Sequence, residues 1–268
     1  MRGRVLVVAG SDSGGGAGIQ ADIKTITALG GFAATAITAL TAQNTLGVFG
    51  VYPVPPAFIR QQIEVVASDI GADVVKIGML ADAAVIEAVS AALAAFLPGV
   101  PLVVDPVMVA KGGHQLLASD AVTTLRTLLL PRAAVLTPNL PEAEALTGRP
   151  VGSVAEMREA AEALRRLGAA GVLLKGGHLR GDTVTDLLAT AEGVEAFAAP
   201  RIDTRHTHGT GCTTASAVAA GLAQGLPLRD AVQRARAYVR AALAAAPGLG
   251  AGHGPLNHAV TIEPVRCR

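Results

Sequence analysis

The tetrapeptide Gly209-Thr210-Gly211-Cys212 joins two kinds of chemistry in one turn. Glycines on either side of Thr210 let successive backbone N–H groups converge, and the small-residue run that follows, TTASAVAAGLAQG, predicts a helix whose positive end points back at them. Such a combination makes an anion site. The same partial charge is expected to lower the Cys212 thiol below the ~8.5 of a free cysteine, within reach of neutral pH. The amides of Gly209, Thr210 and Gly211 could then hold the charge of a migrating phosphoryl group while the thiolate orients or deprotonates an attacking hydroxyl. The alternative is a helix start packed on a sheet, with Cys212 as a small buried hydrophobe.

Other candidates stand where apolar runs end. Asp105, followed by Pro106, is biased to an extended backbone at a strand end, where a carboxylate could hold Mg²⁺ as phosphoryl transfer requires. Lys111 follows in a glycine-rich loop and could neutralise a phosphate; Asp105 could equally just end the strand, with Lys111 in solvent. In Asn139-Leu140-Pro141-Glu142 the spacing makes an amide version of a capping box, which would also bring a second carboxylate near Asp105. Lys175-Gly176-Gly177 offers a cation beside glycines, fit for triphosphate contact or for a solvated strand end. Gln43 and Asn44 are paired amides able to read a heterocycle by donating and accepting together, or simply to cap a turn.

The first loop, GSDSGGGAGIQADIKT (10 to 25), contains Gly16-x-Gly18-x-x-Ala21 but is a poor dinucleotide fingerprint. Its glycines are crowded, and residues 36 to 46 lack the acid expected after the second strand. No Gly-Lys-Ser/Thr follows, so it is not a P-loop. A tight strand-to-helix turn remains.

These residues need a scaffold. The runs at 5–12, 74–80, 101–108, 133–139 and 171–177 are rich in Val and Leu without alternation, as in parallel strands buried on both faces. Between them Ile59, Ile63, Val66 and Ile70 recur with helical spacing. So do Met157, Ala160, Ala161 and Leu164 after the Ser153/Glu156 capping-box pair, and later Val232, Ala235, Val239, Ala242 and Ala246. Residues 184–199 look instead like an antiparallel hairpin on the sheet edge. The expectation is one doubly wound α/β domain over 1–268, with ligands gathering beyond the carboxyl ends of its strands.

With 51% hydrophobic and 16% charged residues and a net charge of +1, the 268-residue chain is neither disordered nor a nucleic-acid binder by composition. Its opening apolar run is shorter than a signal-peptide core, and no uninterrupted apolar segment is long enough to span a bilayer. Two cysteines, Cys212 and Cys267, make no disulfide framework. A cytoplasmic protein without a membrane partner is expected.

The segments AGSDSGGGAGIQADIKT, TALTAQNTLGV, KIGML, DPVMVAKGG, TPNLPEAE, LLKGGH, HTHGTGC and GHGPLNH cover nearly the whole chain in order. Together they resemble the hydroxymethylpyrimidine/phosphomethylpyrimidine kinases of thiamine biosynthesis, in the ribokinase-like superfamily. The resemblance implies a three-layer α/β/α sandwich, with a mostly parallel sheet, an antiparallel edge and no lid, and commonly a homodimer. It implies ATP-Mg²⁺ phosphorylation of 4-amino-5-hydroxymethyl-2-methylpyrimidine and then of its monophosphate to the diphosphate. By motif position Gln43 would read the aminopyrimidine, with Gly10, Asp22, Met79 and Val107 around the ring. Asp105 and Glu142 would organise magnesium. Asn139, Lys175, Lys111 and the Gly209 to Gly211 amides would serve the nucleotide phosphates. After Lys111 the family often has Ser-Gly-Asp, whereas this chain has Gly112-Gly113-His114.

Three rival readings share parts of this pattern: a pyridoxal or pyridoxine kinase, since some of these also carry cysteine at position 212; a nicotinamide-dependent oxidoreductase; and a pyrimidine-binding module that has lost its chemistry.

Overall fold

Unbroken Val and Leu runs form the middle of the sheet because both of its faces are covered. The computed structural model describes residues 1–109, 113, 114, 116–118 and 120–263; Lys111, Gly112 and Cys267 therefore lie outside the described residues. The elements run β1 (Arg4–Asp12), α1 (Gly18–Ala28), β2 (Phe32–Asn44), β3 (Gly47–Pro53), α2 (Pro56–Asp69), β4 (Val74–Ile77) and α3 (Ala83–Phe96). There follow β5 (Leu102–Val104), α4 (Ala121–Leu128), β6 (Ala133–Leu136), α5 (Leu140–Thr147), α6 (Val154–Arg166) and β7 (Val172–Leu174). The chain then forms β8 (Thr183–Thr190), β9 (Gly193–Pro200), α7 (Thr210–Ala223) and α8 (Leu228–Ala244).

Among the described residues one sheet holds nine strands in the order β3-β2-β1-β4-β5-β6-β7-β8-β9. From β2 to β7 all pairings are parallel, while β8 and β9 add on antiparallel as the composition of 184–199 suggested. The opposite edge differs from expectation. β2 folds back into β3 as a second antiparallel hairpin, so the sheet has two antiparallel ends rather than one.

Alternate residues of β1 enter two cores. Leu6 and Val8 face Ile59, Ile63 and Ile86 beneath α2 and α3, whereas Val5 and Val7 face Ile26, Val218 and Val239 beneath α1, α7 and α8. Removing such a side chain from water is worth about 1.5–3 kcal/mol, so apolar residues dominate both faces and period-2 alternation disappears, with buried Lys76 on β4 an exception that is paired to Asp22. Helix ends follow local chemistry. Asn139 and Glu142 form the reciprocal capping box at α5, Ser153 caps α6, and the Val232 stripe stops at Ala244, short of Ala246.

Candidate active site

Strands β1, β4, β5, β6 and β7 end on the same edge of the sheet, and the N-terminus of α7 arrives above them. Between these ends lies a cavity of about 960 Å³. Its lining includes Gly10, Gln43, Met79, Val107, Asp105, Asn139, Glu142, Lys175 and the whole stretch Gly209 to Cys212. The structure thus brings together the candidates on seven separate segments. Asp22 is the exception: it is sealed below the cavity floor with no exposed surface, and both its oxygens take Lys76 Nζ, at 3.0 and 2.9 Å. The resemblance implied a place around the ring, but Asp22 does not line the cavity and instead holds Lys76 beneath it.

At α7 the cap is Gly209, held at φ +82°, where a side chain would run into the Gly16 carbonyl. Glycine is required there by both conformation and space. The Thr210 amide turns back to the Thr207 carbonyl at 3.3 Å. Among the described residues no backbone carbonyl takes the N–H of Gly211 or Cys212, so these two first-turn donors remain open to the cavity. Beside them Lys175 Nζ donates to Asp105 Oδ1 at 3.0 Å, and Thr137 Oγ1 donates to the same oxygen at 3.1 Å. Asp105 Oδ2 faces the Gly211 Cα, where an added methyl would come within 3.6 Å of it and 3.3 Å of Lys175 Nζ.

Charges in this corner control one another. Burial pushes the Glu142 carboxyl up to about 7 and Asp105 adds repulsion, against the pull of Lys175. Burial alone would lower Lys175, but Asp105 and Glu142 outweigh it and hold the ammonium above its ordinary value. Two carboxylates that repel each other, with oxygen donors only, fit a hard divalent cation that keeps most of its waters and shares phosphate oxygens.

The thiol behaves opposite to the expectation drawn from its helix position. Burial pushes Cys212 up to about 12, with Asp22 and Asp105 adding to it and Lys76 opposing. Desolvation of a thiolate outweighs the fraction of a charge that a helix end supplies. Cys212 is a neutral thiol here.

The first glycine-rich loop holds its own anion. Asp12 accepts from the amides of Gly14 (2.8 Å), Gly16 (3.1 Å) and Ala17 (2.8 Å), and from His208 Nε2 at 2.8 Å. Burial would raise this carboxyl, but His208 and those amides hold it below the usual range. The crowded glycines wrap a carboxylate rather than a dinucleotide. Ser13 Oγ, on the same loop, donates to the Gln43 carbonyl (3.0 Å) and accepts its amide (2.9 Å) where the β2–β3 register shifts, which turns the Gln43 side chain into the cavity. The pairing of Lys76 with Asp22 and the tie of His208 to Asp12 are site features that motif reading did not find; Lys76 and Asp22 stood in separate motifs, and the histidine stood in HTHGTGC with nothing in sequence to tie it to Asp12.

A nine-stranded, mostly parallel sheet with a phosphate-ready helix mouth and a lysine-carboxylate cluster at its carboxyl edge defines a kinase of the ribokinase-like class. The family model for phosphomethylpyrimidine kinase matches residues 12–257, and the chain belongs to that family. It is 55% identical over its whole length to the thiamine biosynthesis bifunctional protein ThiED of Geobacter sulfurreducens, and spans about half (54%) of that relative. It is 51% identical to the hydroxymethylpyrimidine/phosphomethylpyrimidine kinase of Rhizobium meliloti, over 94% of this chain and 96% of the relative. Among solved structures, an ADP complex of Bacillus subtilis pyridoxal kinase superposes with a TM-score of 0.90 at 36% identity, covering 97% of this chain and 98% of the other.

Proposed function

We propose that the protein transfers the terminal phosphoryl group of ATP to the hydroxymethyl oxygen of 4-amino-5-hydroxymethyl-2-methylpyrimidine, and then a second one to the resulting monophosphate, in thiamine biosynthesis. The observation that carries this reading is the pair of unclaimed amides at Gly211 and Cys212, opening into the same cavity as the Gln43 amide. Gln43 reads the ring edge, with Gly10, Met79 and Val107 around it. Asn139 and Lys175 take nucleotide phosphates, and the apolar sector at Val184, Ile202, Val239 and Leu243 suits a purine. Lys111, outside the described residues, keeps its proposed phosphate role from sequence alone.

Asp105 and Glu142 would hold Mg²⁺ arriving with the nucleotide; when bound, the ion neutralises charge on the terminal phosphates. The chain's own residues do the rest. The amides of Gly211 and Cys212 stabilise the equatorial oxygens in flight, and Lys175 balances the charge left on the leaving phosphate. With a neutral thiol, Cys212 orients the hydroxyl rather than stripping its proton in advance. A loose phosphoryl-transfer transition state needs little deprotonation before the new P–O bond forms, so positioning carries the catalysis.

Residues 1–268 act as a single kinase domain in the cytoplasm. The β2–β3 edge supports a homodimer: Leu46, Phe49 and Tyr52 are 64%, 71% and 69% exposed on one hairpin. Light scattering after gel filtration should give twice the chain mass, and a monomer would overturn the pairing.

ADP release measured with the hydroxymethylpyrimidine, its phosphate, pyridoxal and ribose tests the substrate. Strong turnover is expected with the first two. Turnover restricted to pyridoxal would replace this reading with its nearest rival, whose fold this chain shares.

A further inference from the structure

The cavity end that holds Gln43 contains a chain of polar groups that obey a strict accounting of hydrogens. Asp12 Oδ2 and His208 Nε2 are 2.8 Å apart, and the same Nε2 lies 3.3 Å from the Gln43 side-chain amide. On its other side that amide lies 3.1 Å from Thr41 Oγ1, which in turn donates to the Ser11 carbonyl at 2.9 Å. Asp12 already takes three backbone N–H groups, so it is a carboxylate and can only accept. Nε2 of His208 therefore carries a hydrogen, whether the imidazole is neutral or cationic.

With the Gln43 nitrogen toward His208, two donors would face each other. The single Thr41 hydroxyl hydrogen would also have to serve both Ser11 and Gln43 Oε1. A half-turn of the amide removes the donor clash and the double demand on Thr41. Oε1 then takes a share of the His208 Nε2–H that also goes to Asp12 Oδ2, Nε2 of Gln43 donates to Thr41 Oγ1, and Thr41 gives its one hydrogen to Ser11. The His208 hydrogen then serves two acceptors in a three-centre contact, and no two donors are opposed.

We infer that His208, clamped by Asp12, fixes the polarity of the Gln43 amide and thereby which order of donors and acceptors on a heterocycle the pocket takes. Gln43 then offers an N–H on its Thr41 side and an oxygen lone pair on its His208 side. A ring with an acceptor nitrogen beside an exocyclic amine matches that order. The pyrimidinone counterpart, with ring N–H beside a carbonyl, presents the reverse in the same pose. His208 touches no substrate in this scheme and is a positioning residue. The inference rests on the proposed role of Gln43 as ring reader.

Nitrogen-15 chemical shifts of the His208 ring in the intact protein test the first step directly. A protonated Nε2 is expected, and an unprotonated Nε2 overturns the inference with or without any variant. The second step is read as the ratio of kcat/KM for the aminopyrimidine to that for the 4-oxo analogue. Wild type is expected to favour the amine by at least ~10³-fold, as sites with opposed buried polar groups do. His208→Leu should cut that ratio at least ~10-fold, chiefly through KM of the amine, and His208→Gln, which keeps a donor, should retain most of it. A folded His208→Leu protein with the wild-type ratio overturns the inference. Wild type that fails to phosphorylate the aminopyrimidine defeats the functional reading instead, and the nitrogen shift still decides the His208 geometry.

Discussion

Lys76 Nζ and Asp22 Oδ2 meet at 2.9 Å with neither side chain exposed to solvent. Ser216 Oγ, one helical turn after Cys212 on α7, adds a 2.6 Å bond to Asp22 Oδ1. The pair thus ties β4, α1 and α7 together beneath the cavity at the N-terminus of α7. Removing one partner leaves a lone buried charge, so Asp22→Asn or Lys76→Met should each cost about 3–5 kcal/mol. The double change Asp22→Leu with Lys76→Met should recover much of that loss. Urea denaturation gives the numbers, and a loss under ~1 kcal/mol for either single variant would mean the buried pair carries no net charge to strand.

Burial of the Cys212 thiol sets a second expectation. Because its pKa stands at about 12, its thiolate fraction at pH 7.5 is over ~10³-fold below that of a free thiol. The greater nucleophilicity of a basic thiolate offsets part of this, so iodoacetamide should label it roughly 100-fold more slowly, the rate climbing steadily toward alkaline pH. Cys212→Ala should lower kcat by roughly 10²-fold with little change in pyrimidine KM, while Cys212→Ser, which keeps a hydrogen to orient the hydroxyl, should retain more. An unchanged kcat in the alanine variant would assign the sulfur to packing alone.

Gly211 makes room for Lys175 rather than for a special backbone angle. A methyl at 211 would sit 3.3 Å from Nζ and push the ammonium off its 3.0 Å contact with Asp105. Gly211→Ala should therefore fold with a near-wild-type melting temperature and lose roughly 10–100-fold in kcat, in line with the removal of one oxyanion donor or less. A variant that loses stability but not turnover would contradict this placement.

The strand ends were legible because buried parallel strands write themselves as Val and Leu runs, and a residue such as Asp105 or Lys175 at the end of one has a single edge to emerge on. The β2–β3 hairpin was not. Thr and Ala are spread over both faces of 32–44, so TALTAQNTLGV reads as an apolar run ending in a turn, although Leu46 N–H to Asn44 Oδ1 at 2.8 Å is the turn chemistry that an Asn there suggests. The Lys76–Asp22 pair joins residues 54 positions apart on different elements, and no local pattern encodes it. Cys212 misled for a related reason. A helix terminus is visible in sequence, whereas the desolvation that overrides it, helped by Asp22 and Asp105, comes from tertiary packing that no local pattern shows.

Glu142, with its carboxyl pushed up to about 7, changes charge inside the working pH range. The deprotonated form is the one that would assist a cation, so the KM for ATP at saturating magnesium should rise as pH falls below 7, approaching tenfold per unit, and flatten above about 8. Glu142→Gln should have a higher KM throughout and no inflection near 7. Persistence of that inflection in the glutamine variant would transfer the titration to another group.

His258 provides a pH test of folding that is separate from catalysis. Its Nε2 lies 3.0 Å from Thr213 Oγ1 in a buried pocket, and desolvation together with the nearby Lys24 charge lowers its pKa from 6.5 to about 4. The folded pKa lies below the unfolded one, so this contribution is complete above pH 6.5. It is lost as pH falls from 6.5 toward 4, where the unfolded chain binds a proton that the folded protein refuses. The difference is on the order of 3 kcal/mol. Other carboxylates titrate in the same window, so the informative quantity is the gap in unfolding free energy between wild type and His258→Asn, whose side chain takes up no proton. That gap should favour wild type at pH 7.5 and shrink or reverse by pH 4.5. A gap independent of pH would mean that His258 is protonated in the folded protein as readily as in the unfolded chain.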